Sequence, residues 1–225
     1  MSSSVSKTPF PVTCIFDTET TGIPPSDPTH SHRYAPYSKW GNQCRLLQLA
    51  WQIRGHEGEL LQSYNAFVRP EDFEIPPEAA AVHGITEAFL IEQTEVPCKS
   101  ARAVLEDLFE ALAHHRVECL VAHNLAFDYH IIHYELRRAI PSRAEREDKR
   151  LQWEALQGYC TYKRGQRYLK DRGVYQSGKL VNYYSYFVEP WDTSSLKQTA
   201  TLHRADSDVE VCQRLFQCLY PLTLE

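Results

Sequence analysis

Two carboxylates stand at the end of a short apolar run near the start of the sequence. The run is Val12 to Phe16, and Asp17 and Glu19 follow it with no side chain of opposite charge nearby. On an extended strand, residues two apart point to the same face, so both carboxylates are predicted to face one point beyond the strand end. Like charges at such spacing repel and lose hydration, so another part of the fold must offset that cost.

Two further acids are predicted near that point. Asp128 falls in the first turn of the helix expected after the strand Glu118 to Ala122, and Asp208 falls in the first turn of the last predicted helix. Helix N-termini favour anions by only about 0.3–1 kcal/mol, which is too little to gather four carboxylates. Divalent cations would offset the repulsion, and Mg²⁺ or Mn²⁺ is expected because both favour carboxylate and water ligands.

The reaction that such a site suits is phosphoryl transfer to water. Two cations about 3.5–4 Å apart clamp the attacking and leaving oxygens of an in-line displacement. His203, five residues before Asp208, is the candidate general base, because an imidazole with an unperturbed pKa of about 6.5 can accept a proton near neutral pH.

The elements that must position these residues indicate an α/β fold with a central mixed five-stranded sheet flanked by helices. The apolar run before Asp17 is typical of a strand buried on both faces, and two alternating runs joined by a turn predict a hairpin. We expect one domain over residues 1–225, with loop insertions at about 24–45 and 141–180. The predicted strands are 12–16, 47–53, 60–68, 118–122 and 157–162, and the main helices follow Ser100 and cover 125–138 and about 206–220.

Composition limits the classes of protein that fit. The chain has 225 residues, 43% of them apolar, and a net charge of -5, which argues against a simple electrostatic binder of nucleic acid. The seven cysteines form no CxxC pair, and no segment approaches the ~20 apolar residues of a membrane span. With no apolar leader segment at the N-terminus, we expect an intracellular protein of the cytoplasm or nucleus, without a membrane partner.

Four motifs in order along the chain resemble a known family. FDTETTG at 16–22, VHGIT at 82–86, AHNLAFD at 122–128 and HRADSD at 203–208 are similar to the motifs of the DnaQ-like (DEDDh) 3′-to-5′ exonucleases. The resemblance spans nearly the whole chain and implies a ribonuclease H-like fold. It also implies a metal-dependent 3′-to-5′ exonuclease that releases nucleoside 5′-monophosphates and uses two Mg²⁺ or Mn²⁺ ions per active site.

The same resemblance assigns roles to particular residues. The metal ligands would be Asp17, Glu19, Asp128 and Asp208, with Asp17 shared between both ions and His203 as the base. The terminal nucleotide would be bound by Thr20, Gly22, Ile23, His83, Ile85, His123, Asn124 and Phe127.

The substrate and partners are left open by the sequence. DNA 3′ ends, single-stranded or frayed, are the expected substrate of a proofreading or repair type of enzyme, and RNA 3′ ends or short RNA are the alternative. A non-catalytic scaffold of the same fold is the rival reading, and both homodimerisation and association with a polymerase remain open. Of two basic stretches, 163–172 is the better candidate for contacting a phosphate backbone, because 143–150 also carries acids and is typical of a solvated, ion-paired face.

Overall fold

A six-stranded mixed sheet runs through the computed structural model, which describes residues 9–26, 34–41, 43–190 and 204–223. The strands are β1 (Thr13–Thr20), β2 (Leu46–Arg54), β3 (Leu60–Val68), β4 (Cys98–Lys99), β5 (Cys119–Ala122) and β6 (Gln157–Cys160). Their spatial order is β4-β3-β2-β1-β5-β6. Because β1 is antiparallel to β2 and parallel to β5, the strand that ends in the paired acids occupies the middle of the sheet.

Helices cover the sheet on both faces. They are α1 (Pro77–His83), α2 (Glu87–Glu92), α3 (Ala101–His114), α4 (Leu125–Ala139), α5 (Arg143–Ala155), α6 (Thr161–Lys170), α7 (Leu180–Phe187) and α8 (Ala205–Leu219), with a 3₁₀ turn at Tyr37–Lys39. Ser100 caps α3 as predicted, since its hydroxyl accepts a hydrogen bond from the Ala103 N–H at 3.3 Å. Within the described ranges, no helix combines the length and apolar character needed to cross a bilayer.

The side chains of β1 alternate between two hydrophobic cores. Cys14 and Phe16 pack in the core under α3, α4 and α5, whereas Ile15 packs in the core under α6, α7 and α8. The side chains of Cys14, Ile15 and Phe16 are all fully buried, which explains why the sequence of this strand is a continuous apolar run. The predicted α/β fold of helices around a mixed sheet is therefore confirmed.

One part of the sheet prediction, the number of strands, differs from the structure. There are six strands instead of five, because the two-residue strand β4 pairs in parallel with the end of β3. Two residues are too few to show the alternation by which a strand is detected in sequence. The hairpin β2–β3 and the edge strand β6 lie where they were predicted.

Most of the segment 141–180, expected as a loop insertion, is regular structure that includes α5, β6 and α6. Trp153 anchors α5, because its ring is fully buried and lies edge-on to Phe16 at a centroid separation of 5.5 Å. A single aromatic residue among many charges gives a weak helical pattern, so the sequence does not distinguish a helix from a loop over 141–155. Helix α7, also unpredicted, buries Tyr183 and Phe187 against the second core.

The described part of the 24–45 segment packs on α4. The Tyr37 hydroxyl lies 2.8 Å from Nδ1 of His130 and 3.0 Å from Nδ1 of His133. Trp40 is fully buried and donates its indole N–H to the Ala35 carbonyl at 2.7 Å. These contacts give the two histidines a packing role and place residues 34–41 against the helix that carries Asp128.

A buried ion pair connects the start of β2 to α4. Arg45 Nε donates to Glu135 Oε1 at 2.9 Å, and the Leu46 N–H donates to the same oxygen at 3.1 Å. Arg45 also contacts Asp72 Oδ1 at 2.6 Å, and its guanidinium lies 4.2 Å from the centre of the Phe73 ring. Glu135 is completely buried, so this carboxylate depends on Arg45 to neutralise its charge.

Candidate active site

The end of β1 brings its two acids to the start of α8. Carboxylate oxygens of Asp17, Glu19 and Asp208 all lie within 4.8 Å of one another. An irregularity in the β1–β2 register falls between Glu19 and Thr20, directly after the second acid. The structure thus brings together three of the four predicted metal ligands, which come from opposite ends of the chain.

Asp128, the fourth acid, is fixed from the side of α4. It is 2% exposed, and its Oδ1 accepts hydrogen bonds from the Thr18 N–H at 3.0 Å and the Thr18 hydroxyl at 2.7 Å. Thr18 is therefore a positioning residue that the sequence analysis missed. The strand alternation carries a signal for it, because Thr18 must point away from the face shared by Asp17 and Glu19.

The four acids repel one another strongly. Burial raises the pKa of Asp17 well above its usual range, and the charges of Asp128, Asp208 and Glu19 raise it further. Burial raises the pKa of Glu19 to about 8, with Asp208 and Asp128 adding to the effect. Burial also raises the pKa of Asp128 to about 7, although the hydrogen bonds from Thr18 oppose the rise.

This donor set fits divalent cations with hard oxygen ligands. Three carboxylates at mutual oxygen distances within 4.8 Å can converge on one ion, and a cation would offset the repulsion that adds to the effect of burial on the pKa values of Asp17 and Glu19. The charge of Asp128 also acts on Asp17.

Gln48 holds the N-terminus of the helix that carries Asp208. It stands opposite Glu19 in the β1–β2 ladder and is fully buried. Its Oε1 accepts from the Ala205 N–H at 3.3 Å, and its Nε2 donates to Asp206 Oδ1 at 3.4 Å and to Asn65 Oδ1 at 2.9 Å. Gln48 therefore connects the strand of Glu19 to the first turn of α8, and the sequence analysis did not identify it.

Substituting Gln48 by leucine is expected to weaken the metal site without unfolding the chain. The change leaves the Ala205 N–H and Asn65 without this partner, so the start of α8 loses its attachment to β2, at a cost of about 1–3 kcal/mol. We expect hydrolysis at low Mn²⁺ to fall by about tenfold or more, with recovery when Mn²⁺ is raised, as measured by initial rates across a metal titration.

Gln52→Leu is the matched control for this prediction. Gln52 lies on the same strand and donates to Glu210 of α8 at 3.0 Å, one helical turn further along than Asp206. An equal loss of activity in both variants, or a loss that added metal does not relieve, would show that Gln48 has only a general structural role.

The predicted substrate residues after Glu19 form a tight turn. The Thr20 hydroxyl is buried and donates to the Gly22 carbonyl at 2.8 Å. A Cβ at Gly22 would lie 2.7 Å from the carbonyl oxygen of Gln43, so only glycine fits there. Ile23 is 79% exposed, which leaves an apolar side chain in solvent beside the acids.

His83 and Ile85 of the HGIT segment are both buried. Ile85 is 2% exposed and packs with Leu47, Phe67 and Leu90 in a separate small core. The Ile85 N–H donates to Nδ1 of His83 at 3.0 Å, so that nitrogen is already an acceptor within the loop. The packing of Ile85 and its hydrogen bond to His83 are both structural contacts.

The residues at the start of α4 differ in accessibility. His123 is held at both ring nitrogens, since Nδ1 lies 3.0 Å from the Thr161 hydroxyl and Nε2 lies 2.8 Å from the Gly178 carbonyl. Asn124 is exposed and adopts a left-handed backbone conformation with φ of 67°, which asparagine tolerates better than most residues. Phe127 is partly buried against the first core. His203, the predicted base, lies outside the described residues.

The mixed sheet with helices on both faces and an acidic cluster at the end of its central strand defines a ribonuclease H-like nuclease fold. The chain belongs to the exonuclease family, because the family model RNase_T, described as Exonuclease, matches residues 14–216. The predicted relationship to the DEDDh exonucleases is thereby confirmed. No curated protein matches the chain.

Solved structures share the fold at low sequence identity. Exonuclease I of E. coli, in complex with a dA16 oligonucleotide, matches 95% of this chain at 15% identity and a TM-score of 0.62, and the chain spans 42% of its length. The nuclease domain of 3′hExo, a DEDDh family member bound to rAMP, matches 92% of this chain and 90% of its own, at 14% identity and a TM-score of 0.59. S. pombe Pop2p in a Mg²⁺- and Mn²⁺-bound form matches 91% of this chain and 81% of its own, at 16% identity and a TM-score of 0.58.

Proposed function

We propose that this protein is a divalent-metal-dependent 3′-to-5′ exonuclease that releases nucleoside 5′-monophosphates from the 3′ ends of nucleic acid. The observation that carries the proposal is the convergence of Asp17, Glu19 and Asp208 within 4.8 Å, with Asp128 buried beside them. Burial and the neighbouring charges raise the pKa values of Asp17, Glu19 and Asp128, so grouping these acids with Asp208 is a costly arrangement that metal binding offsets. Membership of the exonuclease family supports the same reading.

The four carboxylates would hold two Mg²⁺ or Mn²⁺ ions, with Asp17 shared between them. Bound there, the ions would activate water and stabilise the charge that develops on the scissile phosphate. The S. pombe Pop2p structure, which contains both metals, supports this choice for a chain of the same fold. His203, five residues before Asp208, is proposed as the group that accepts the proton of the attacking water.

The turn after Glu19 is proposed to bind the terminal nucleotide. Ile23 has most of its side chain in solvent and would pack against the terminal base. Thr20 and Gly22 would hold the backbone of the turn in the shape that exposes Ile23. Asn124 is exposed at the start of α4 and is proposed to contact the same nucleotide. His83, Ile85, His123 and Phe127 are proposed to shape the pocket from behind, given their burial and internal hydrogen bonds.

DNA is the proposed substrate, and RNA is the second candidate. Exonuclease I with its dA16 oligonucleotide supports the first, and 3′hExo with rAMP supports the second. Selection of RNA would require contacts to the 2′-hydroxyl. The complete set of four acids argues against a non-catalytic scaffold, since the metal ligands are all retained.

A side-by-side digestion tests polarity and substrate together. Matched 5′-labelled single-stranded DNA, RNA and mismatched duplex DNA are incubated with Mg²⁺ or Mn²⁺, with a chelator as the control. We expect single-stranded DNA to shorten one nucleotide at a time from its 3′ end, with nucleoside 5′-monophosphates as the product. Internal cleavage, shortening from the 5′ end, or intact substrates in both metals would refute the proposal.

A further inference from the structure

A cavity of about 380 Å³ between α4 and α5 is lined by four arginines. We call it the arginine pocket, formed by Arg137, Arg143, Arg146 and Arg150, with His133, Leu136 and Glu147 completing its lining. The whole chain carries a net charge of -5, so this concentration of guanidinium groups runs against its overall balance. Such a local reversal of charge indicates an anionic ligand.

The positive charge of the arginine pocket is only partly neutralised. Arg150 pairs with Glu147, its Nη2 lying 2.6 Å from Oε1, and it also pairs with Glu154. Arg146 donates to the Ile140 carbonyl at 3.0 Å. Within the part of the chain that the structure describes, Arg137 and Arg143 form no ion pair with a carboxylate, and the Arg143 side chain is exposed. Two guanidinium groups are therefore available to a ligand.

The surroundings of these two arginines suit a nucleic-acid backbone. Arg143 is the first residue of α5, a 13-residue helix whose N-terminal end favours negative charge. Guanidinium groups bind phosphate in a two-pronged geometry. The Arg137 guanidinium lies 5.5 Å from the centre of the Tyr37 ring, so an aromatic side chain stands beside the cations, a combination typical of single-strand binding surfaces.

The pocket lies at a distance from the acids that a substrate strand can span. Helix α4 carries Asp128 in its first turn and Arg137 nine residues later, which corresponds to at least about 14 Å along the helix axis. At about 3.4 Å per nucleotide of stacked strand, that is roughly four or more nucleotides.

We infer that the arginine pocket binds the phosphate backbone of the substrate strand, about four or more nucleotides from the end that is cleaved. The inference rests on the proposed function, because it assigns the pocket to the same substrate. It also reverses the preference drawn from sequence. That preference was for the stretch 163–172, whereas the packing of α5 on α4 gathers four arginines in one cavity.

Binding of single-stranded DNA in a chelating buffer tests this inference without requiring hydrolysis. Fluorescence anisotropy is recorded with labelled 12-nucleotide and 3-nucleotide strands for the wild type and for Arg137→Gln/Arg143→Gln. We expect the double variant to bind the 12-mer about tenfold or more weakly and the 3-mer within about twofold of the wild type. The slope of log K against log salt for the 12-mer should fall in magnitude by about 1.4, since each phosphate contact on a single strand contributes about 0.7.

Arg167→Gln/Lys170→Gln is the matched control, because it removes the same charge from exposed positions of α6. Equal weakening by the control, or 12-mer binding that the pocket variant leaves unchanged, would overturn the inference. So would a wild type that binds the 12-mer no more tightly than the 3-mer. If the proposed function is wrong, the digestion experiment will leave the strands intact in both Mg²⁺ and Mn²⁺. The binding measurement does not depend on hydrolysis, so it still decides the role of the pocket.

Discussion

Replacement of Asp17 by asparagine is expected to lower the rate of strand hydrolysis by at least about a thousandfold and to raise the melting temperature of the metal-free protein. The loss of activity follows because the carboxylate proposed to be shared between the two metal ions disappears, and a thousandfold corresponds to about 4 kcal/mol of lost transition-state stabilisation. Single-turnover rates and thermal melts in chelator are the two measurements. A single substitution is thus expected to move activity and stability in opposite directions.

The gain in stability has an electrostatic cause. Asp17 is forced among Asp128, Asp208 and Glu19, and its pKa is raised well above the usual range by burial and then by those charges. An amide of the same shape removes one charge from the group. For a chain of about 225 residues, each kcal/mol relieved raises the melting temperature by about 2–4 °C.

The pH dependence of the metal-free protein should follow the same logic. Glu19 has its pKa raised to about 8 in the fold, against about 4.3 in an unfolded chain. A raised pKa means that the folded chain retains the proton which the unfolded chain loses, so the free energy of unfolding falls as pH rises from about 4 to 8. In Asp17→Asn this fall should be shallower, since Asp17, whose own pKa is also raised in the fold, no longer contributes to it.

Asp206→Asn is the control for the expected loss of activity. Asp206 lies in the same first turn of α8 as Asp208, but it pairs with Arg204 at 3.5 Å and is not part of the three-carboxylate cluster. The rate of strand hydrolysis by Asp206→Asn should stay within a few-fold of the wild-type rate. If Asp17→Asn retained substantial activity, or if both variants were equally inactive, the assignment of the shared ligand would be wrong.

Replacement of Glu135 by alanine is expected to destabilise the fold by about 3–5 kcal/mol. Glu135 is completely buried and accepts from Arg45 Nε at 2.9 Å and from the Leu46 N–H at 3.1 Å. Removing the carboxylate leaves a 6% exposed arginine without its buried counterion. Because total stability is about 5–15 kcal/mol, urea denaturation should show a large shift of the midpoint.

Glu106→Ala provides the comparison on the surface. Glu106 pairs with Arg102 at 2.7 Å, but both side chains are 44% exposed, so its loss should cost less than about 1 kcal/mol. The double substitution Arg45→Leu/Glu135→Leu should recover part of the stability lost in Glu135→Ala, because no unpaired charge then remains. Equal effects of Glu135→Ala and Glu106→Ala would show that the buried pair contributes no more than a surface one.

The sequence predicted those parts of the molecule that depend on local patterns. The apolar run before Asp17 revealed a central strand, and the spacing of Asp17 and Glu19 placed both on one face of it. Asp208, at the start of the last helix, joins them in the structure within 4.8 Å. Predicting these features requires only the two-residue period of a strand and the position at which a helix begins.

The positioning residues were missed because they depend on register between distant segments. Gln48 matters only because β2 pairs with β1 so that it stands opposite Glu19 and reaches Ala205. Thr18 becomes a partner of Asp128 only when α4 packs against β1. The alternation of β1 places Thr18 on the face away from Asp17 and Glu19, but no periodicity within a segment reports which distant residue a side chain contacts.

Helix packing also determined the interpretation of the basic stretches. Arg143 and Arg146 appeared to belong to an ion-paired surface, because acids alternate with them in sequence. In the structure, the packing of α5 on α4 brings both beside Arg137 in one cavity.

Titration of Mn²⁺ by isothermal calorimetry tests the central claim most directly. The wild type and Asp17→Asn are compared in the presence of a nucleoside 5′-monophosphate. The four-carboxylate account predicts two ions per chain for the wild type and loss of this binding in Asp17→Asn. Absence of Mn²⁺ binding by the wild type, or the same stoichiometry and affinity in both proteins, would contradict it.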